Sequence, residues 1–318
     1  MTVYIPALEK VQMGLEAVWG DLAAPTVQLV GVTDCKITPK VESTQIADKR
    51  GTTMPAFIAV VNRVWGEANV SGVICYAQFR HWLDAMFGID AAAPYTYLAD
   101  LDADAALRSF NLCYGQPDVT YSMGGAILDK LAIAGTTNGA LTYNAHLLGK
   151  GVVGDTLEVL EDDDVVVAHG CHIALWIDPI AGPIGTTPVL ATAFSFDANI
   201  ACDRQLLWHL GSLNPDSIRH GKWGGNLRLS LQMTSDMQDI LDAALGQEIS
   251  PGAYAVRLRA TDKLTTSVLT LDFAGHLLPA PTLYTENGGV ITAEMDLTPV
   301  FSDDATFLSC WGASLVLP

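Results

Sequence analysis

The polar and apolar positions of this chain alternate far more often than they follow a helical period. Val27, Leu29, Gly31, Thr33 and Cys35 interleave with Gln28, Val30, Val32 and Asp34, the period-two rhythm of a half-buried strand. Runs at Phe57–Val64, Asn69–Tyr76, Leu107–Tyr114, Ala126–Ala134 and Ala140–Leu147 predict further strands, the first two joined by a Trp65-Gly66-Glu67 turn. Gly124-Gly125 and Thr136-Thr137-Asn138-Gly139 read as hairpin breaks between them. Val165–Ile177, Val189–Ala201, Asn226–Met233, Ala253–Ala260, Thr265–Ala274, Val290–Leu297 and Thr306–Leu317 continue the series. Helical spacing is rare. Leu8, Val11, Leu15 and Val18 predict an amphipathic helical arm within residues 1–25. Phe79–Phe87, closed by Gly88, and Met237–Leu245, closed by Gly246, predict two short helices. Val41–Pro55 and Cys202–Lys222 are polar and turn-rich and are expected as long loops, with Asp178–Pro188 as a linker.

Some of these elements occur twice. Trp65-Gly66 precedes Leu83-Asp84-Ala85-Met86-Phe87-Gly88, and Trp223-Gly224 precedes Leu241-Asp242-Ala243-Ala244-Leu245-Gly246, both at an offset of 158. Asp34–Ile37 answers to Asp197–Ile200 at 163, and Gly124–Ile127 to Gly288–Ile291 at 164. Three anchors in one order predict a duplicated domain. The expected class is all-β with minor α: two tandem β-sandwiches or barrels, each with one packed helix. The expected division is an arm at 1–25, a first sandwich at 26–165, a connecting strand and linker at 166–188, and a second sandwich at 189–318.

Charged residues make up only 16% of the chain and hydrophobic ones 50%, yet no apolar run reaches the roughly 18 residues of a membrane-spanning helix. Apolar surface of that abundance is well placed in subunit interfaces. The net charge of −18 argues against a DNA-gripping surface, which needs clustered Lys and Arg, and suits one that DNA passes without sticking. The six cysteines lie far apart without a C-x-x-C, which predicts free thiols in a reducing compartment. Residues 1–20 have neither the basic nor the apolar region of a signal peptide, so assembly in cytoplasm is expected.

Catalytic patterns fail on inspection. Gly149-Lys150-Gly151-Val152-Val153-Gly154 matches G-x-G-x-x-G, but no acidic residue follows about twenty positions on, and its flanks are not strand and helix. Asp100, Asp102 and Asp104 begin like a calcium loop, but Ala105 replaces the turn glycine and Asn111 the closing Glu. His169, Cys171 and His172 lack the further ligands of a zinc site. No enzyme, cofactor or metal is expected.

Leu141–Gly149, ending on Leu147-Leu148-Gly149-Lys150, then His172-Ile173-Ala174-Leu175-Trp176-Ile177-Asp178, then Thr187–Phe196 with its Phe194-Ser195-Phe196 strand, resemble the centre of tail tube proteins of long-tailed bacteriophages. The Trp223-Gly224 turn, the Leu241–Gly246 helix end and the closing strand Leu308–Leu317 follow the same plan. The resemblance implies a virion protein of β-sandwich fold whose rings stack into a hollow tube for double-stranded DNA. Its partners would be copies of itself, a tape-measure protein, and tail-tip and terminator proteins. With two units in one chain, three copies should close a ring of pseudo-sixfold symmetry, the alternative being six. Glu42, Asp48, Lys49, Arg50, Asp216, Arg219 and His220, on the two long loops, are the expected inter-ring contacts, and the lumen is expected to be acidic. A capsid-decorating or tail-tip binding module, or an enzyme using the Gly149–Gly154 turn, are the competing readings.

Overall fold

β-branched, aromatic and alternating residues produce a structure, seen here as a computed structural model, that is 61% strand and 9% helix. It describes residues 9–46, 58–88, 93–99, 108–161, 165–189, 194–245, 253–277, 282–287, 290–301 and 309–318. In chain order the elements are β1 (Lys10–Leu15), β2 (Val27–Leu29), β3 (Val32–Ile46), β4 (Ile58–Val73), α1 (Tyr76–Phe87), β5 (Tyr95–Leu98), β6 (Phe110–Gln116), β7 (Val119–Thr136), β8 (Thr142–Gly149) and β9 (Gly151–Asp155). There follow β10 (Ile173–Pro179), β11 (Pro188–Val189), β12 (Phe194–Ala201), β13 (Gln205–Leu207), β14 (Ser217–Arg219) and β15 (Gly224–Gln232). The last are α2 (Ser235–Leu245), β16 (Ala253–Thr261), β17 (Val268–Leu277), β18 (Thr282–Asn287), β19 (Val290–Pro299) and β20 (Trp311–Val316).

Every ladder is antiparallel. One continuous sheet runs β3–β4–β8–β7–β12–β15–β19–β18. Against it lie two smaller sets, β2–β1–β6–β7–β9 and β11–β10–β16–β17–β20–β5. The same pairing order therefore occurs twice: β1, β2, β3, β4, α1, β6, β8 and β9 have the positions of β10, β11, β12, β15, α2, β16, β19 and β20. β7 has the position of β17 and β18 together. Its first half pairs with β6 and β9, its second half with β8, and it changes layer at Gly124-Gly125-Ala126. Gly125 takes φ 64° there, and a Cβ would meet the Trp19 ring at 2.9 Å, so glycine is required.

The core fills the space between the layers. Ala68 and Val70 of β4, Ala145 and Leu147 of β8, and Leu227, Leu229 and Leu231 of β15 point inward on alternate positions, and Trp82, Phe79 and Leu83 of α1 pack among them. Two buried carboxylates lock the wide bends that follow β1 and β10. Glu16 accepts from Gly20 N, Gly125 N and Ser109 Oγ at 2.7–2.8 Å. Asp178 accepts from Gly185 N, Thr186 N, Thr186 Oγ1 and Thr187 N at 2.6–3.1 Å.

Several expectations are corrected. Residues 10–15 form a strand rather than a helical turn, because Gln12 is drawn into the interior by bonding both N–H and C=O of Glu158, so that Val11, Gln12 and Met13 are all buried. Ile173–Pro179 forms β10, which pairs with β11 (Pro188–Val189) and β16. β4 passes straight through Trp65-Gly66 without a turn. Val41–Ile46, expected in a loop, is strand, and the Cys202–Lys222 loop contains the β13–β14 hairpin. Gly124-Gly125 is a kink within β7, and the hairpin instead turns between Gln116 and Val119. The pair at 288–289, outside the described residues, falls between β18 and β19, so that third anchor joins positions that are not equivalent.

Candidate assembly surfaces

A sheet eight strands wide that does not close on itself has two free edges, and each is a template for another chain. Here they are β3 and β18. β3 pairs with β4 alone and β18 with β19 alone among the described residues. In the middle of the same sheet stands a finished junction of the same kind. β7 meets β12 from Thr136↔Ser195 to Lys130↔Ala201. Thr137 N donates to Phe194 O at 3.0 Å, and Phe194 N donates to Thr137 Oγ1 at 3.0 Å. At the other end Cys202 N donates to Asp129 O (3.1 Å) and Arg204 N to Asp129 Oδ1 (2.8 Å).

Arg204 completes that junction. Its guanidinium is buried and donates to Ala85 O (3.0 Å) and Met86 O (2.7 Å) at the end of α1 and to Leu128 O of β7. A helix leaves its last carbonyls without partners, and a cation there also meets the negative end of the helix dipole. Burial would raise the Asp129 carboxyl, but the neighbouring His146 and the Arg204 N–H outweigh it and hold it below its ordinary value.

The face of the eight-stranded sheet that turns away from the core is polar. Lys36, Lys40, Lys130 and Arg228 share it with Asp34, Glu67, Asp197, Glu294 and Asp296. Lys40 pairs with Glu67 at 2.9 Å and Arg228 with Glu294 at 3.1 Å. Asn199 Nδ2 donates to Asn226 Oδ1 (3.2 Å), whose Nδ2 donates to Asp296 Oδ1 (3.0 Å). Charges are compensated across the strands, and amides fill the intervals.

β3 and β4 extend beyond this sheet as a two-stranded arm, Val41–Ile46 against Ile58–Val64, with Val41, Val60 and Val61 exposed. Glu42 lies on this arm, opposite and 3.7 Å from Arg63. Asp48, Lys49 and Arg50 fall outside the described residues. Asp216, Arg219 and His220 belong to the β13–β14 hairpin: Asp216 pairs with His209, Arg219 is exposed, and His220 Nδ1 lies 3.9 Å from Cys202 Sγ. That hairpin is partly spent inside the chain. Val64 N donates to Leu213 O (2.8 Å), Trp208 meets Trp65 edge-on at 6.0 Å, and Arg63 covers the Trp208 ring.

The repeat anchors take unequal places. Leu83 and Leu241 are both buried inward positions of their helices, and Gly88 ends α1 with φ 103°, its N–H donating to Asp84 O. Gly246 is outside the described residues. Trp65 lies within β4, whereas Trp223 precedes β15 and stacks on Phe87 at 5.3 Å. Inward positions are even-numbered in β4 and odd-numbered in β15, so the strands align at an odd offset and the helices at 158. Gly224 opens β15, and its carbonyl accepts from Trp311 Nε1. Gly66 sits directly opposite Gly149, and a Cβ on either would meet the Met123 side chain within 2.7 Å. Gly149 thus serves close packing between antiparallel strands, Gly151 and Gly154 have room for a side chain, and the run leads into β9 rather than into a helix.

Arg204 escaped the sequence reading because its partners lie 76 to 119 positions away.

Among the described residues no helix is long and apolar enough to cross a membrane, and no group of three His, Cys, Asp or Glu stands together as a metal site. A family model described as phage tail tube protein matches residues 7–299. No curated protein matches the chain.

Proposed function

The chain belongs to the phage tail tube protein family, and from that premise we propose that three copies close a ring of pseudo-sixfold symmetry and that such rings stack into the tail tube. The family makes it a structural component of the virion tail that assembles with itself. In this reading the chain is two tandem sandwiches, the first including β1 and β2 and the second beginning at β10. It is made and assembled in the host cytoplasm. It meets tape-measure, tail-tip and terminator proteins at the tube's ends and within its bore.

The observation that carries the ring is the β7–β12 ladder. Because β18 holds the place of β7's second half and β3 the place of β12, the same ladder formed between copies joins β18 of one to β3 of the next. Three copies supply twenty-four strands. At a spacing of about 4.8 Å and a tilt of 35–45°, these close on a backbone diameter of roughly 45–50 Å, leaving room inside for a DNA duplex. The polar face would form the wall. Its charges are nearly balanced rather than acidic, so DNA meets ion pairs and amides with no excess of free cations to hold phosphates. The β3–β4 arm with Glu42, and 48–50 at its end, supplies contacts between rings. Asp216, Arg219 and His220 contribute less, their hairpin being engaged within the chain.

The register predicted from Asp197↔Ala134 sets Lys36 of one copy opposite Thr285 of the next. A Lys36→Cys, Thr285→Cys chain, with the exposed Cys171 replaced by Ser, should on oxidation give covalent trimers from assembled tubes. Covalent hexamers would replace the trimer by a six-chain ring. Absence of any inter-chain link would remove the edge pairing itself.

A further inference from the structure

β20 and β9 hold the same place in their two sets, but their outer edges differ. β7 sets Ser122 opposite Val153 of β9, as β17 sets Leu271 opposite Ala313 of β20. β20 is covered on its far side by β5, antiparallel from Leu98↔Gly312 to Tyr95↔Leu315, and Ala99 N donates to Trp311 O at 2.9 Å. The far side of β9 pairs with no described residue.

The reason lies in the connections. β5 comes from the stretch between α1 and β6, residues 88–109, which is long enough to cross to the other unit. The equivalent stretch between α2 and β16 is only residues 246–252. Among the described residues each chain thus has two edges of this kind and one strand to cover them. A bare edge is often blunted by lysine, proline or a bulge; Gly151-Val152-Val153-Gly154-Asp155 has none of these and is blunted only by its five-residue length and Asp155. On one face of this ladder Val119 and Tyr121 are 41% and 52% exposed, and on the other Val153 of β9 is 45% exposed. The shallow groove there is lined by Asp118, Val119, Tyr121, Gly154, Asp155 and Thr156, without a basic side chain.

We propose that the outer edge of β9 receives one extended segment of a partner protein, added antiparallel as β5 is added to β20. That segment alternates aromatic or aliphatic with small polar residues, as Tyr95-Thr96-Tyr97-Leu98 does, and is flanked by lysine or arginine facing Asp118 and Asp155. The ladder supplies affinity, and the two carboxylates favour basic flanks. The site occurs once per chain, so a partner would decorate the surface at half the frequency of the sandwiches. The inference rests on ladders within one chain and holds for three or six chains per ring.

A fluorescein-labelled peptide carrying the Tyr95–Leu98 segment between two added lysines tests it by anisotropy on assembled tubes. Saturable binding at one peptide per chain is expected. Val153→Lys, at an exposed position that leaves the fold intact, should weaken it at least tenfold. The Asp118→Lys, Asp155→Lys chain should weaken this peptide yet strengthen one flanked by glutamates. No saturable binding, or binding indifferent to Val153→Lys, overturns the proposal. Binding confined to unassembled chains overturns it as well, by showing that another copy covers the edge.

Discussion

α1 and α2 follow equivalent strands, yet they are held very differently. α1 buries Tyr76, Phe79, Trp82, Leu83, Ala85 and Met86, adds the buried polar residues Gln78 and Asp84, and has its last carbonyls bonded by Arg204. α2 buries Met237 and Leu241, while Gln238, Asp239 and Asp242 are exposed. The sequences explain part of this, since around the shared Leu-Asp-Ala segment α1 has Phe79 and Trp82 where α2 has Met237 and Ile240. Position supplies the rest. α1 lies over the finished β7–β12 junction, where the second unit covers it. By the correspondence of β18 with the second half of β7, α2 would be covered only by a neighbouring copy. Enclosure of a helix here depends on the joint as well as on the helix's own side chains.

The largest test of that contrast is Arg204→Met. It strips the cation from three buried carbonyls, and unfolding in urea should show a loss of about 3–5 kcal/mol. A loss under about 1 kcal/mol would mean that the joint does not hold α1. A finer test sets Leu83→Ala against Leu241→Ala. Both remove a buried leucine, and such changes cost about 2–5 kcal/mol depending on how far the site can collapse. In dissociated chains Leu83→Ala should lie near the top of that range and Leu241→Ala near the bottom. In assembled tubes the gap should narrow, and a gap unchanged by assembly would argue that nothing covers α2.

The smallest effect concerns the two carboxylate locks. Burial alone would raise Asp178, but donors from Thr186, Thr187 and Gly185 outweigh it and hold the carboxyl below its ordinary value of 3.8. A carboxyl depressed in the folded state contributes stability that is present above the unfolded value and lost as pH falls through the folded one. Asp178→Asn should therefore cost about 1–2 kcal/mol at neutral pH and flatten the stability profile below pH 4. An unchanged acid limb would exclude this bend as its source.

Much of the architecture was legible because it depends on local chemistry. Gly88 stops α1 where good helix formers end, and β8, β12 and β15 alternate cleanly because one face meets the core and the other does not. What stayed hidden depends on distant partners. Lys10–Leu15 looks helical until Gln12 is known to bond Glu158, 146 positions away. Trp65-Gly66 looks like a turn because a glycine signals one, whereas Gly66 is small to admit Met123. Of the assembly surfaces, the Glu42 arm was visible as a polar stretch, but its pairing as strands was not. The edges β3, β9 and β18 could not be recognised as edges before every other strand had found its neighbours.

β7 has a mechanical consequence. Its eighteen residues, about 60 Å of extended chain, pass from the outer layer to the inner without an intervening loop. A pull on the eight-stranded sheet reaches the other layer along covalent backbone, and the kink at Gly124-Gly125, pinned by Glu16 and Trp19, is a place along that strand where it can flex. A tube built this way would bend by many small hinge motions shared among its subunits, each held by the same two contacts, before any ladder between copies had to open.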